Sequence, residues 1–293
     1  MFVLQGKLIN LIQDAKPNFN QNRRIEIEYR NMIGKINKKI NVIVRKYNPD
    51  NQASAVQATR ELEALSNSIR DWARTRIVAV IYSLNSDSER KWQKHSSLIA
   101  MQLKQALRRR PLSALMKRYM EENITVLQSL PMQAAVRIQK IALEAVKTGG
   151  RSKGLISEIQ RIAQVTENKA KLIARTEVSR MTTGLTQARA EALEIDWYVW
   201  RTSEDARVRS SHDLMENVLV NWNDPPSPEL LKGKKGNGNY HAGCTFNCRC
   251  FPTPLIRYED VSWPAKVYRN GRIERMSKHR FIELSAGKVP MAA

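Results

Sequence analysis

Along the first two thirds of the chain, apolar residues return every three or four positions. Ile33, Ile36, Ile40 and Ile43 form one such series, and Leu62, Leu65, Ile69 and Trp72 another. This spacing marks amphipathic helices. Proline and small polar clusters punctuate them: Pro17, "YNPDN" at 47–51, "LNSDSE" at 84–89, Pro111, Pro131 and "TGGRSKG" at 148–154. Up to residue 195 the chain therefore reads as about seven or eight helices packed side to side. The opening stretch "MFVLQGKLINLIQDAK" fits an amphipathic helix better than a signal peptide, because it lacks a basic lead-in and a small-residue cleavage site. The last helix of the series spans Glu167 to Leu193. It sets Ala170, Ile173, Val178, Met181, Leu185, Ala188 and Ala192 on or near one face. Arg175, Glu177, Arg180, Gln187 and Arg189 fall mostly elsewhere and are expected in solvent.

At Asp196 the periodicity changes. "DWYVWRTS" is aromatic and β-branched, which favours a strand, and "NVLVNW" reads as a second. A long loop, "NDPPSPELLKGKKGNGN", precedes a third extended piece, "CRCFPTPLI". A loop of this length in so small a module calls for a ligand or a partner. In "KVYRNGRIERM", Asn270-Gly271 between alternating flanks signals a hairpin. The expected fold class is α+β: a long-helix, mainly α, N-terminal region, then a small strand-containing α+β module. The expected domains are a helical region at 1–160, the module at 161–256, and a hairpin and tail at 257–293.

Composition changes this picture in two ways. Hydrophobic content of 42% and charged content of 26% describe a folded chain, and no run of about 18 apolar residues offers a membrane span. Forty-nine Lys+Arg against 28 Asp+Glu give a net charge of +21, which favours a polyanionic partner. The basic residues are spread along the chain, a pattern suited to phosphate contact or an acidic protein neighbour rather than to base readout.

All three cysteines fall within "YHAGCTFNCRC", residues 240–250. Three thiols cannot form a closed disulfide set, and the spacing of Cys248 and Cys250 strains a mutual bridge. In an extended segment, two residues apart means one face, so a single metal could accept both. Zinc prefers four tetrahedral thiolate and imidazole ligands; His212 with either His241 or Cys244 would complete such a set around one structural Zn2+. The competing readings are a buried small hydrophobe, a catalytic thiol served by His212-Asp213 or His241, and a histidine nuclease using His212, Asn239 and His241.

Taken in order, "ARTEVSRMTTGLTQARAEALEIDWYVWRTSEDARVRSSHDLMENVLVNWNDPP" and "HAGCTFNCRCFPTPL" resemble the phage head morphogenesis family, the minor head proteins similar to the F protein of phage Mu. The resemblance covers roughly residues 165–256. It carries Arg175 and Glu177 in the helix, Trp200 and Thr202 in the strand, then Asp205, Arg207, Arg209 and His212, and last His241, Asn247, Cys248, Arg249 and Cys250. Where other members have Cys-x-x-Cys, this chain has Arg209 and His212, which puts His212 at a ligand position. Where the family often has glycine, Glu216-Asn217 leaves Asn217 to take the left-handed turn. His241-Ala242 replaces His-Pro, and Cys244 is an additional thiol.

The resemblance implies a structural virion component rather than an enzyme. It would sit inside the head or at the portal vertex, and in host cytoplasm during assembly. Its expected partners are the phage portal protein, other head proteins and packaged double-stranded DNA, with no membrane. Arg175, Arg207, Arg209 and Arg249 are the candidate contacts for DNA phosphates or acidic partners. The alternatives from other classes are a metal-dependent nucleic-acid-processing enzyme and a basic zinc-containing DNA-binding module.

Overall fold

The computed structural model describes residues 19–47, 52–95, 97–109, 112–148 and 167–285. Helices come first in the chain: α1 (Arg23–Val44), α2 (Gln52–Ser68), α3 (Arg70–His95), α4 (Ser97–Arg109), α5 (Ser113–Thr148) and α6 (Glu167–Ala192). Short strands and shorter helices follow, so the fold is α+β. The described chain divides into two compact units, one made of 22–84 and 113–178, the other of 19–21, 85–112 and 179–285. The expected boundary at 160 lies outside the described residues, as do the opening stretch, Pro17, Pro111 and "GGRSKG".

In the helical unit, α1 buries Ile25, Tyr29, Ile33, Ile36, Ile40 and Val44; Val44, not Ile43, continues the stripe. Leu62, Leu65 and Ile69 are buried as the spacing predicts, while Trp72 is only half-buried. The Tyr29 hydroxyl donates to Asn123 Oδ1 at 2.8 Å, and the Asn123 amide donates to the Tyr119 carbonyl at 2.8 Å. That pairing lets two polar groups lie in the core without a desolvation penalty.

Two expected breaks are not breaks. α3 runs through "LNSDSE" because its polar groups find partners there: Asp87 pairs with Lys91 at 2.7 Å and Arg90 at 3.3 Å. α5 likewise continues through Pro131. In the turn before it, the Ser66 hydroxyl donates to the Gln128 carbonyl (2.9 Å) and the Gln128 amide returns a bond to the Ser66 carbonyl (3.2 Å). Tertiary hydrogen bonds and packing on α2 hold the helix where proline alone would end it.

The other unit is built on a five-stranded sheet: β1 (Trp197–Arg201), β2 (Val218–Asn221), β3 (Phe251–Pro254), β4 (Ala265–Arg269) and β5 (Arg272–Met276), in the order β3-β1-β2-β4-β5. Only β2 and β4 pair in parallel. The interior strand β1, between β3 and β2, alternates between two cores. Tyr198 and Trp200 face a cluster with Phe19, Trp92, Leu103 and Ala190, and Trp197 and Val199 face one with Leu255, Val267 and Phe281. Burial on both faces explains why Trp197 to Trp200 are all aromatic or apolar, with the half-buried Arg201 ending the strand. Each large side chain sealed this way contributes roughly 2–3 kcal/mol. The predicted hairpin forms between β4 and β5, with Asn270 and Gly271 both at positive φ (48° and 80°). A closing helix, Lys278–Leu284, capped by Ser277, brings Phe281 onto the sheet.

Arg189 departs from expectation. It is 2% exposed, and its guanidinium donates to the Asn85 carbonyl and side chain (3.2 and 2.8 Å) and to the Leu185 carbonyl. Burial lowers its pKa to about 10, which still leaves it charged at neutral pH.

Candidate metal centre

The connection from β1 to β2 and the entry to β3 meet at one end of the sheet, since β3 pairs with β1 from Arg201↔Phe251 onward. That connection contains a short helix, α7 (Ser210–Leu214), which carries His212 inward. It closes on Asn217, at φ 62° as expected for the missing glycine, whose N–H donates to the Trp200 carbonyl. Glu216 holds the same corner by accepting the Thr202 N–H at 2.6 Å. Cys248 and Cys250 lie just before β3 rather than in it, and both sulfurs meet His212.

The result is a buried group of His212, Cys248 and Cys250 whose ligand atoms all lie within 4.8 Å of one another. His212 Nδ1 is 3.5 Å from Cys248 Sγ and 3.4 Å from Cys250 Sγ. Zinc at its usual bond lengths and a tetrahedral angle separates N and S ligands by about 3.6 Å, so the donors already stand close to metal-ready spacing. Both their type and their separations fit zinc.

The other imidazole nitrogen is provided for. His212 Nε2 lies 3.0 Å from the Tyr240 hydroxyl, which donates to both Glu229 oxygens at 2.7 Å. With a metal bound, the proton would lie on Nε2, facing Tyr240, and Nδ1 would offer its lone pair to the ion; a ligating histidine is commonly fixed this way. Burial, then the Glu229 carboxylate, pushes the Tyr240 hydroxyl well above its ordinary range, so it remains a donor. Glu229 sits on α8 (Pro228–Leu231), a short helix within the long loop, and Tyr240 ends that loop. The loop thus carries both side chains to His212. Neither was foreseen; the available signal was that a buried ligand histidine needs an acceptor at its second nitrogen.

The two thiols titrate as a pair. The hydrogen bond from Cys250, with His212 nearby, holds Cys248 well below the ordinary thiol range. The same bond and burial push Cys250 far up. The bare site therefore favours one thiolate, and a cation would displace the second proton.

His241 and Cys244 do not join this group. His241 accepts from the Tyr198 hydroxyl at 3.2 Å and packs edge-on against Trp222; burial lowers its pKa to about 4. Burial and the nearby Cys248 push Cys244 up to about 12. The separation is made at Gly243, at φ 87°, where a Cβ would lie 2.6 Å from Thr183 Oγ1 and 2.7 Å from Ser179 Oγ. This close approach lets the Thr183 hydroxyl donate to the Ala242 carbonyl at 2.7 Å.

Of the four arginines, Arg175 lies in the helical unit and pairs with Glu26 at 3.4 Å. The other three lie around the His212, Cys248 and Cys250 group. Arg207 and Arg249 both meet Asp205, at 3.2 and 2.9 Å. Arg209 lies over the Phe246 ring at 4.6 Å and donates to the Phe246 carbonyl.

The sequence and the site together define a basic α+β protein with a zinc-type donor set buried beside a small mixed sheet. Residues 136–252 match the family model for Phage Mu protein F like protein. That stretch is similar to this family, and all three donors lie inside it. An uncharacterized protein of Haemophilus influenzae is 32% identical over 134 residues, covering 46% of this chain. The match spans 28% of that relative's length. No solved structure matches.

Proposed function

We propose that this is a minor head protein of a tailed phage, associated with the capsid at the portal vertex. It would act in head assembly and in packaging or ejection of DNA, as a structural component rather than an enzyme. Its basic surface meets packaged DNA without reading its sequence, through phosphate contact and counterion release. His212, Cys248 and Cys250 hold one structural Zn2+ that clasps the β3 entry to the α7 connection. The observation that carries this reading is positional: the Mu F-like stretch encloses the three donors together with Tyr240 and Glu229, which orient them.

In the helical unit, Ile36, Ile69 and Trp72 line a groove of about 260 Å³ together with Lys35, Lys38 and Lys39. Apolar and cationic groups side by side suit an acidic, apolar-anchored stretch of a neighbouring head protein. Among the described residues, no helix is long and apolar enough to cross a membrane.

The test has two arms. Elemental analysis of the untagged full chain should find about one zinc per chain, lost in Cys248→Ser; metal-free protein with reduced thiols would remove the zinc. Co-expression with the cognate portal protein should give a complex, and its absence would remove the portal placement. A second reading, a metal-dependent nucleic-acid-processing enzyme, is favoured by the three-donor set bordering a cleft, because catalytic zinc commonly keeps one position open. Divalent-metal-dependent plasmid cleavage that disappears in His212→Ala would establish it.

A further inference from the structure

The three metal donors also line a small cleft of about 40 Å³, whose other walls are Ser203, Arg207, Val208, Arg209, Asn247 and Arg249. Three guanidinium groups and one hydroxyl thus converge on a space of a few atoms. The nearby carboxylate, Asp205, is shared by Arg207 and Arg249. Arg209 is left out of that neutralisation. Phe246 fixes it from one side, by ring and by carbonyl, which orients the guanidinium. Its Nη1 is buried without a hydrogen-bond partner, and so is the Ser203 hydroxyl. Three guanidinium groups outnumber the two anions at the cleft, Asp205 and the Cys248 thiolate, and two buried donors there are unmatched, the complement of an oxyanion.

We propose that this cleft binds a single phosphate group, held by Arg209 Nη1 and Ser203 Oγ with Arg207 at the exposed rim. The cleft is too small for a nucleobase, so recognition stops at the phosphate. That group could be free inorganic phosphate or a backbone phosphate of DNA. The second source rests on the DNA contact proposed above; the first does not.

The full-length protein would be titrated with sodium phosphate at constant ionic strength, with sodium chloride as the blank, and separately with a 30-base-pair duplex. Variants are Arg209→Gln, Arg209→Lys and Ser203→Ala; the last removes one hydroxyl and tests the site even if the arginine variants fail to fold. Saturable phosphate binding is expected, weakened about tenfold or more by Arg209→Gln, less by Ser203→Ala, and partly retained by Arg209→Lys. If the source is DNA, Arg209→Gln also lowers the slope of log affinity against log salt by about 0.9, and phosphate competes with the duplex. Phosphate binding with unchanged DNA binding supports the site and assigns it to the free anion. Phosphate heats equal to chloride, or equal affinity in folded Ser203→Ala and Arg209→Gln, overturn the proposal whatever the outcome for DNA or portal.

Discussion

Tyr240 stands between a carboxylate and an imidazole whose nearest atoms are 3.6 Å apart in the interior. Replacing it by phenylalanine strips Glu229 of its donor and His212 of its anchor while keeping the ring. The expected effects are a loss of about 1–3 kcal/mol in unfolding free energy and roughly 10–100-fold weaker zinc binding, read by competition with a chromophoric chelator. Unchanged zinc affinity would make the Tyr240–Glu229 pair mere packing. His241 gives a separate signature. Its imidazole is held neutral by burial, with the Tyr198 hydroxyl and Trp222 facing it, and its folded pKa of about 4 lies below the ordinary 6.5. Between those values the unfolded chain binds the extra proton, so stability falls as pH drops through that window, by on the order of 2–3 kcal/mol. The loss of unfolding free energy between pH 7 and 4.5, from urea titrations, should be smaller by that amount in His241→Phe than in wild type. That His212, Cys248 and Cys250 come together was legible because thiols two apart and a histidine near a strand have few chemical uses in common. The choice between His241 and Cys244 was not, since both neighbour the pair in sequence and the turn at Gly243 turns both away.

At the scale of elements, the long helices and the β4–β5 hairpin could be read directly, because each repeats its pattern over many residues or ends in a two-residue turn of defined chemistry. Where helices would stop was harder to read. "LNSDSE" and Pro131 look like breaks to any local rule, and only partners far along the chain overrule them. The Ser66–Gln128 pair is one such partner. Ser66→Ala should cost about 1–2 kcal/mol, measured by denaturant unfolding; an unchanged midpoint would assign the continuity of α5 to packing alone. Arg189 failed for the same reason, as its acceptors, Asn85 and Leu185, lie one far away in sequence and one within its own helix. The helix Lys278–Leu284 was missed because seven residues hold too few turns for a period, although Ser277 is an ordinary cap.

For the whole molecule, the path of the chain matters more than its length. The sheet-bearing unit draws Trp92 and Leu103 from far upstream into the core that backs β1. A fragment from 165 onward holds most of the Mu F-like match, yet lacks those side chains. It should give a molten, dye-binding species rather than a cooperative unfolding transition, and a sharp transition would show the upstream segment to be dispensable. The same interleaving sets an order in time. During synthesis the helical unit has all its residues once Val178 has emerged, while residues 85–112 wait for partners not yet made. Cys250 reaches His212 only after the long loop and its Tyr240 have left the ribosome. Metal capture at that site would therefore come after the helical unit is complete, and an ion taken up there would certify that the segment from His212 to Cys250 had closed on itself, with β4, β5 and the last helix still to be added.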